Sequence, residues 1–271
     1  MNDFQRVLDT AERHLLTLKA AGVRFLPIQH ETLSRLSEPP PVMETPVVAR
    51  VESPVEQPPQ PLNDNDTAAG MAELRQRASV CLKCPHLVKS RKNVVFGVGD
   101  IHAQLMFVGE APGADEDAQG EPFVGAAGQL LTRIIKTMGL SRETVYIANI
   151  LKCRPDTPGQ SSGNRKPTGD EMKTCLPYLL EQIDLIRPKV LVALGATAIE
   201  GLLGAGGGIG KLRGKFQTFR DIPLMPTFHP AYLLRNQALS EKRKVWEDML
   251  QVMEKLQLPI SEKQRGYFLT A

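Results

Sequence analysis

Short apolar runs alternate with helical stretches through the last two thirds of the chain. Strand-like segments stand at Gln104–Gly109, Val145–Leu151, Lys189–Leu194 and Ile222–Phe228. Helical spacing marks Gly128–Met138, Thr168–Ile186, Thr197–Leu203 and about Ser240–Leu256. A parallel neighbour can be reached only by a crossover, and a crossover helix lies on a sheet face, so this alternation predicts a mostly parallel sheet covered on both sides. The expected fold class is α/β, a three-layer α/β/α arrangement on a central, mostly parallel four-stranded sheet.

The N-terminal third has another pattern. Phe4, Val7, Leu8, Ala11, Leu15 and Leu18 recur every three or four residues, one apolar stripe along a helix. From Ser37 to Pro61, eight of 25 residues are proline, none is glycine or aromatic, and Asn63-Asp64-Asn65-Asp66 follows. Such a stretch has nothing with which to build a core and predicts an extended tether. The expected organisation is an N-terminal helical extension over 1–36, a Pro-rich disordered linker over 37–70 and a catalytic-sized domain over 71–271. That domain opens with a short helix at 71–80 that delivers Cys81 and Cys84. The head either docks back or binds a separate protein partner.

Composition narrows the class. At 271 residues, 42% hydrophobic and 23% charged, the chain can bury one good core. The longest apolar run, Val190 to Ile199, is far short of the roughly 18 residues of a membrane span. Asp3, Arg6, Asp9, Glu12 and Arg13 interrupt the start, so no secretory signal is expected and the expected location is cytoplasmic. Residues 1–70 hold six basic and ten acidic side chains, the remainder 27 and 20. A basic body suits a polyanionic partner, or serves solubility alone.

In open α/β sheets the working residues lie on loops at the carboxyl ends of strands. The first such end reads Gly109-Glu110-Ala111-Pro112-Gly113, then Ala114-Asp115-Glu116-Asp117 and Glu121-Pro122-Phe123-Val124-Gly125. Glu110 is the first candidate to hold a hydrolytic water, with Glu116 and Asp117 behind it; a helix-capping acidic turn is the structural alternative. The second end places Asn149 in an apolar strand, where its amide suits the edge of a pyrimidine or a neighbouring loop. The last places His229 before Pro230, a donor for charge on a leaving group, followed by Leu233, Leu234 and Arg235, a wedge beside a phosphate contact.

The four cysteines form no disulfide framework. Cys81-x2-Cys84 lacks the second close pair of a zinc ribbon, because Cys153 and Cys175 stand far apart in sequence. Four dispersed thiolates suit a four-cysteine iron–sulfur cluster at least as well, and a dithiol pair at Cys81 and Cys84 is a further option.

Taken in order, Cys81-x2-Cys84, GEAPG (109–113), PFVGAAGQLL (122–131), YIANILKCRP (146–155), NRKP (164–167), Cys175, LGATA (194–198), KLRGK (211–215) and HPAYLLR (229–235) resemble the type 4 uracil-DNA glycosylases, over about residues 74–256. The resemblance implies a monofunctional DNA-repair hydrolase that releases uracil from single- or double-stranded DNA and leaves an abasic site. It implies a [4Fe–4S] cluster on Cys81, Cys84, Cys153 and Cys175. The sequence leaves the oligomeric state open; a monomer is expected, since a small monomeric enzyme suffices to scan DNA. The resemblance casts Gly109 and Ala111 as part of the base pocket, Phe123 as the stacking aromatic, Asn149 as the reader of the uracil edge and His229 as the group that stabilises the uracil anion. Glu110 is implied in placing water, and Glu116 lies where a side chain can shield the pyrimidine C5. Lys211, Arg213, Lys215 and Arg235 are expected at phosphates, with Leu233 or Leu234 filling the vacated stack. Ala111 stands where the best-known uracil glycosylases use an aspartate, which argues against a simple Asp-activated water. The loop Asp156–Gly163 is longer than the compact family version, and no histidine lies between His102 and His229, so covalent trapping of the sugar is not expected. The alternative class is a non-catalytic iron–sulfur protein of the same fold that binds nucleic acid or transfers electrons. A pure binder would have no need of Glu110, Phe123, Asn149 and His229 together.

Overall fold

The computed structural model describes residues 64–156, 164–204 and 208–269, all within the compact unit Pro59–Ala271. The expected head helix, most of the Pro-rich linker and nearly all of the Asp156–Gly163 loop lie outside the described residues.

The strands are β1 (Val98–Gly99), β2 (Leu105–Gly109), β3 (Tyr146–Asn149), β4 (Val190–Leu194), β5 (Gln217–Phe219) and β6 (Ile222–Thr227). They form one sheet in the order β1-β3-β2-β4-β6-β5. The inner four, β3-β2-β4-β6, are parallel and are the four strands expected from the sequence. The sheet nevertheless has six strands, because β1 and β5 add short antiparallel edges. With two and three residues, the edges are too short to leave a period. The β5–β6 hairpin turns at Arg220 and Asp221, both at positive φ (48° and 64°), where glycine or asparagine is the usual signal.

The helices are α1 (Asp64–Ser79), α2 (Pro85–Ser90), α3 (Ala114–Gln119), α4 (Ala126–Thr137), α5 (Gly169–Ile186), α6 (Ala196–Leu203), α7 (Ile209–Leu212), α8 (Pro230–Arg235), α9 (Leu239–Lys255) and α10 (Glu262–Arg265). The first begins at Asp64, inside the stretch expected to be linker. Asp64 and Asp66 stand in its first turn, where carboxylates complement the helix dipole. Thr168 caps α5 reciprocally with Glu171.

Alternation within the strands builds two cores. Met106, Val108, Leu191 and Ala193 face a layer with Leu74 of α1, Leu179 and Ile183 of α5 and Ile199 of α6. Leu105, Phe107, Val190 and Val192 face the opposite layer, with Leu131 and Ile135 of α4 and Trp246, Met249 and Met253 of α9. Strands β2, β3 and β4 are buried at every position, as parallel strands covered on both sides must be. The inner strands run parallel, so Gly109, Asn149, Leu194 and Thr227 end at the same edge of the sheet. Among the described residues no helix is long and apolar enough to cross a membrane.

Candidate active site

Gly109 and Asn149 are register partners at the ends of β2 and β3. A Cβ on Gly109 would stand 2.3 Å from Asn149 Oδ1 and 2.5 Å from Phe123 Cζ, so the glycine is where an amide and an aromatic ring meet. Asn149 is buried, and its Oδ1 is sealed from solvent without a hydrogen-bond partner, the sole such side-chain atom among the described residues. A buried acceptor left unpaired costs about 1–3 kcal/mol, so this atom marks the place of an absent donor.

Phe123 sits at φ 56°, a left-handed conformation unusual for an aromatic residue. The surrounding structure enforces it. Arg142 donates from Nη1 to Phe123 O at 3.0 Å and from Nη2 to Pro122 O at 2.7 Å. Gly128 of α4 lies against the Phe123 carbonyl so closely that a Cβ there would fall 1.8 Å from the oxygen. Glu116 Oε1 accepts the N–H groups of Val124 and Gly125, and its Oε2 accepts that of Gly113, all at 3.0 Å. One carboxylate thus joins the Gly109–Gly113 turn to the Phe123 loop. Both its oxygens are engaged, which argues against the place beside a pyrimidine C5 suggested by the resemblance. Asp117 is likewise internal, accepting N–H groups of Lys92 and Asn93.

His229 caps the N-terminus of α8, and its ring lies 5.5 Å from that of Phe123, centroid to centroid. Ala231 N–H donates to His229 Nδ1 at 3.1 Å. That bond assigns the imidazole proton to Nε2. Burial pushes the pKa down to about 4, aided by the charge of Arg235 and opposed by Glu116. The ring is therefore a neutral N–H donor at physiological pH. Glu110 follows β2, its carbonyl accepting Leu151 N–H at 3.1 Å. Its half-buried carboxylate has no partner among the described residues and stands next to Ala111, which packs on the core.

The remaining expected contacts divide. Lys211, Lys215 and Arg235 are exposed, with no hydrogen bond or ion pair from their side chains among the described residues. Arg213 is committed internally. It meets Asp248 through Nη2–Oδ1 at 2.8 Å and Nε–Oδ2 at 3.2 Å, and its guanidinium lies over the Phe228 ring. Asp248 also accepts the Thr227 hydroxyl at 2.6 Å. Arg213 thus ties its loop to the end of β6 instead of facing solvent. Leu233 is 5% exposed and belongs to the interior; Leu234, at 37%, is the leucine presented outward.

The four cysteines come from the end of α1, the N-cap of α2, the loop after β3 and α5, and they line one small cavity with Leu87, Arg91 and Tyr178. Arg91 Nη1 donates to Cys153 Sγ at 3.1 Å and Lys152 N–H to Cys175 Sγ at 3.2 Å. Burial raises the pKa of Cys84 and Cys153 and pushes that of Cys175 up to about 12. These thiols ionise only if a cation joins them. Among the described residues no three His, Cys, Asp or Glu side chains converge as ligands of one metal ion do. A four-cysteine donor set is the usual ligand set of an iron–sulfur cluster, which these residues would hold in place of a single ion. The N–H···S bonds and the all-thiol donor set of the cavity lining agree with that chemistry.

Between the two sites lies a group that sequence reading missed. Lys152 is fully buried, donating from Nζ to Asn149 O at 3.0 Å and to Gln182 Oε1 at 2.6 Å. Gln182 in turn donates to Tyr146 Oη and Phe96 O, each at 3.0 Å. The one signal was a lysine inside the apolar Ile150-Leu151-Lys152-Cys153. Arg142 and Asp248 gave none. The NRKP segment serves a local purpose. Arg165 and His86 both bind Glu171, whose carboxyl the Arg165 guanidinium holds down near about 2.

The protein-family model of the uracil DNA glycosylase superfamily matches residues 96–250. The chain is 44% identical over 182 residues to the type-4 uracil-DNA glycosylase of Thermotoga maritima, covering 66% of this chain and 91% of that protein. It is 45% identical over 185 residues to the type-4 enzyme of Saccharolobus solfataricus, covering 65% and 82%. With the type-5 uracil-DNA glycosylase of Pyrobaculum aerophilum it shares 30% identity over 153 residues, 45% of this chain and 65% of that protein.

Proposed function

The chain belongs to the uracil DNA glycosylase superfamily, and we propose that it hydrolyses the N-glycosidic bond of deoxyuridine in DNA, releasing uracil and leaving an abasic site for base excision repair. The observation that carries this reading is the orphaned Oδ1 of Asn149. Uracil offers an N3–H to that oxygen. Cytosine has a lone pair at N3 and would leave the acceptor facing another acceptor, so the same atom that binds uracil rejects the undamaged base.

The base must leave the stack to reach a pocket at the strand ends, at a cost of a few kcal/mol that is least in mismatches or single strands. Phe123, fixed in its left-handed conformation, provides the stacking face. As the C1′–N1 bond breaks, its electron pair passes to the uracil ring and negative charge grows at O2. His229 Nε2–H donates to that oxygen, and as a neutral group it does so without a proton being transferred. Water attacks C1′, its proton passing to the free carboxylate of Glu110. Lys211, Lys215 and Arg235 hold phosphates. The reaction stops at the abasic sugar.

Cys81, Cys84, Cys153 and Cys175, which share one cavity, would hold a [4Fe–4S] cluster. When bound, such a cluster would supply iron–thiolate links that fasten the exit of α1, the start of α2, the loop after β3 and α5 together.

The test is incubation of anaerobically purified protein with a labelled single-stranded oligonucleotide carrying one uracil, followed by alkali. Scission at the uracil is expected, with loss of at least about 100-fold in Asn149→Ala and His229→Ala. An Asn149→Ala protein that excises uracil at the wild-type rate would sink this pocket. Failure of a brown, folded wild type to cut would favour a non-catalytic DNA binder.

A further inference from the structure

A second concavity, of about 300 Å³, lies further along the two helices that start at the uracil pocket. Helix α4 begins three residues after Phe123 and contributes Arg133 and Ile134; α8 begins after His229 and contributes Leu234. Lys242 and Trp246 of α9 and Phe268 complete the wall. Trp246 donates its indole N–H to Gln264 O at 2.6 Å and, buried, forms part of the groove's floor. Phe268 and Leu234 are exposed at 40% and 37%.

The charge around this apolar groove has one sign. Arg133 and Lys242 have no side-chain hydrogen bond or ion pair among the described residues, nor has Arg235 nearby on α8. Among the described residues no carboxylate lines the groove, and Glu241 beside it is already engaged by Lys244 and Tyr232. Aromatic and aliphatic faces under unpaired cations match a nucleobase with its phosphates. The spacing matches too: Leu234 stands five residues past His229, about 7.5 Å along a helix, close to two steps of a stacked strand at about 3.4 Å each.

We propose that this groove binds an unpaired nucleobase of the same DNA strand, about two nucleotides from the extruded uracil. The assignment rests on the glycosylase reading above and adds a subsite to it. It makes the enzyme sensitive to a base that undergoes no chemistry.

The experiment compares the full-length protein on two oligonucleotides. One carries ordinary nucleotides around the uracil; the other has abasic spacers at the second position on either side, with every phosphate kept. Wild type is expected to show roughly a ten-fold higher kcat/KM on the first, expressed in KM. Phe268→Ala and, separately, Lys242→Ala are expected to remove most of that preference while leaving excision from the spacer substrate unchanged. A 2-aminopurine at the second position is expected to change fluorescence on binding in wild type and not in Phe268→Ala. Equal rates of wild type on both substrates, or equal losses on both in the variants, overturn the subsite while leaving uracil excision intact. A Phe268→Ala change that alters self-association of the DNA-free protein but not the preference assigns the groove to a second copy and also overturns it. If wild type excises uracil from neither substrate, the glycosylase reading falls and the subsite with it.

Discussion

Gly109→Ala adds one methyl group at the point where the base reader and the stacking ring meet. The new carbon would lie 2.3 Å from Asn149 Oδ1 and 2.5 Å from Phe123 Cζ, where ordinary contact begins near 3.4 Å. Relief therefore needs a displacement of about 1 Å in one or both side chains. Neither moves freely: Asn149 is buried, and Phe123 is clamped through its backbone by Arg142 and by the approach of Gly128. Overpacking of this kind costs about 1–3 kcal/mol, and each kcal/mol lowers Tm by about 2–4 °C at this size. The chain stays folded, because natural stabilities run at about 5–15 kcal/mol. Activity suffers more, since a misplacement of about 1 Å at a reacting centre costs about 100-fold. Single-turnover excision, read as alkaline scission, is expected to fall by that factor while Tm drops by about 2–12 °C. Gly169→Ala is the control: nothing lies within 4 Å of its Cβ position, and activity and Tm are expected to hold or rise slightly. A Gly109→Ala enzyme within about three-fold of the wild-type rate would refute the claim that Gly109 sets the spacing of the pocket.

Because His229 titrates near 4 instead of its ordinary 6.5, single-turnover excision is expected to be level between about pH 6 and 8; an inflection near 6.5 would show a titrating imidazole. The same shift makes the folded chain bind that proton less readily than the unfolded one, so its contribution to stability is full above about pH 6.5 and lost as pH falls towards 4, measurable by denaturation across that range. Asp248→Ala leaves Arg213, 14% exposed, as an unpaired buried charge and is expected to cost about 3–5 kcal/mol, or on the order of 10 °C in Tm; a loss under about 1 kcal/mol contradicts the role given to the pair. Changing Cys153 or Cys175 to alanine is expected to bleach the visible absorption and lower the folded yield, and an unchanged spectrum removes the cluster assignment.

The legible parts of the fold were those that burial marks twice. β2, β3 and β4 are covered on both faces, so Leu105–Gly109 and Val190–Leu194 read as unbroken apolar runs and Tyr146–Asn149 as one broken only by Asn149. The edges were not legible: Val98–Gly99 is too short for a period, and the hairpin at Arg220-Asp221 adopts its left-handed turn without the usual residues. Asn63–Asp66 read as linker because its composition is that of a tether, yet two of its acids open a helix whose Met71 and Leu74 are held by tertiary packing. At the site, Gly109, Asn149 and His229 announce themselves by standing at or just beyond strand ends, Phe123 stands in the loop after α3, and the fold brings the four together. Charged residues were harder to read, since a letter does not say which way a side chain turns. Glu116 binds backbone, Arg213 binds Asp248, and Arg142 reaches back about 20 positions to hold Phe123. Lys152 was hidden because a lysine is rarely buried, and this one is accommodated by two acceptors that lie far from it in sequence or belong to the main chain.

The carboxylate of Glu116, taking N–H groups from Gly113, Val124 and Gly125, makes two loops into a single casting. For protein engineering this defines the exchangeable part. The turn after β2 and the segment bearing Phe123 have to be transplanted or redesigned jointly, with the glutamate that welds them. A library that diversifies either loop alone samples mostly broken joints, whereas one that carries residues 109–125 as a cassette keeps the weld and varies the pocket.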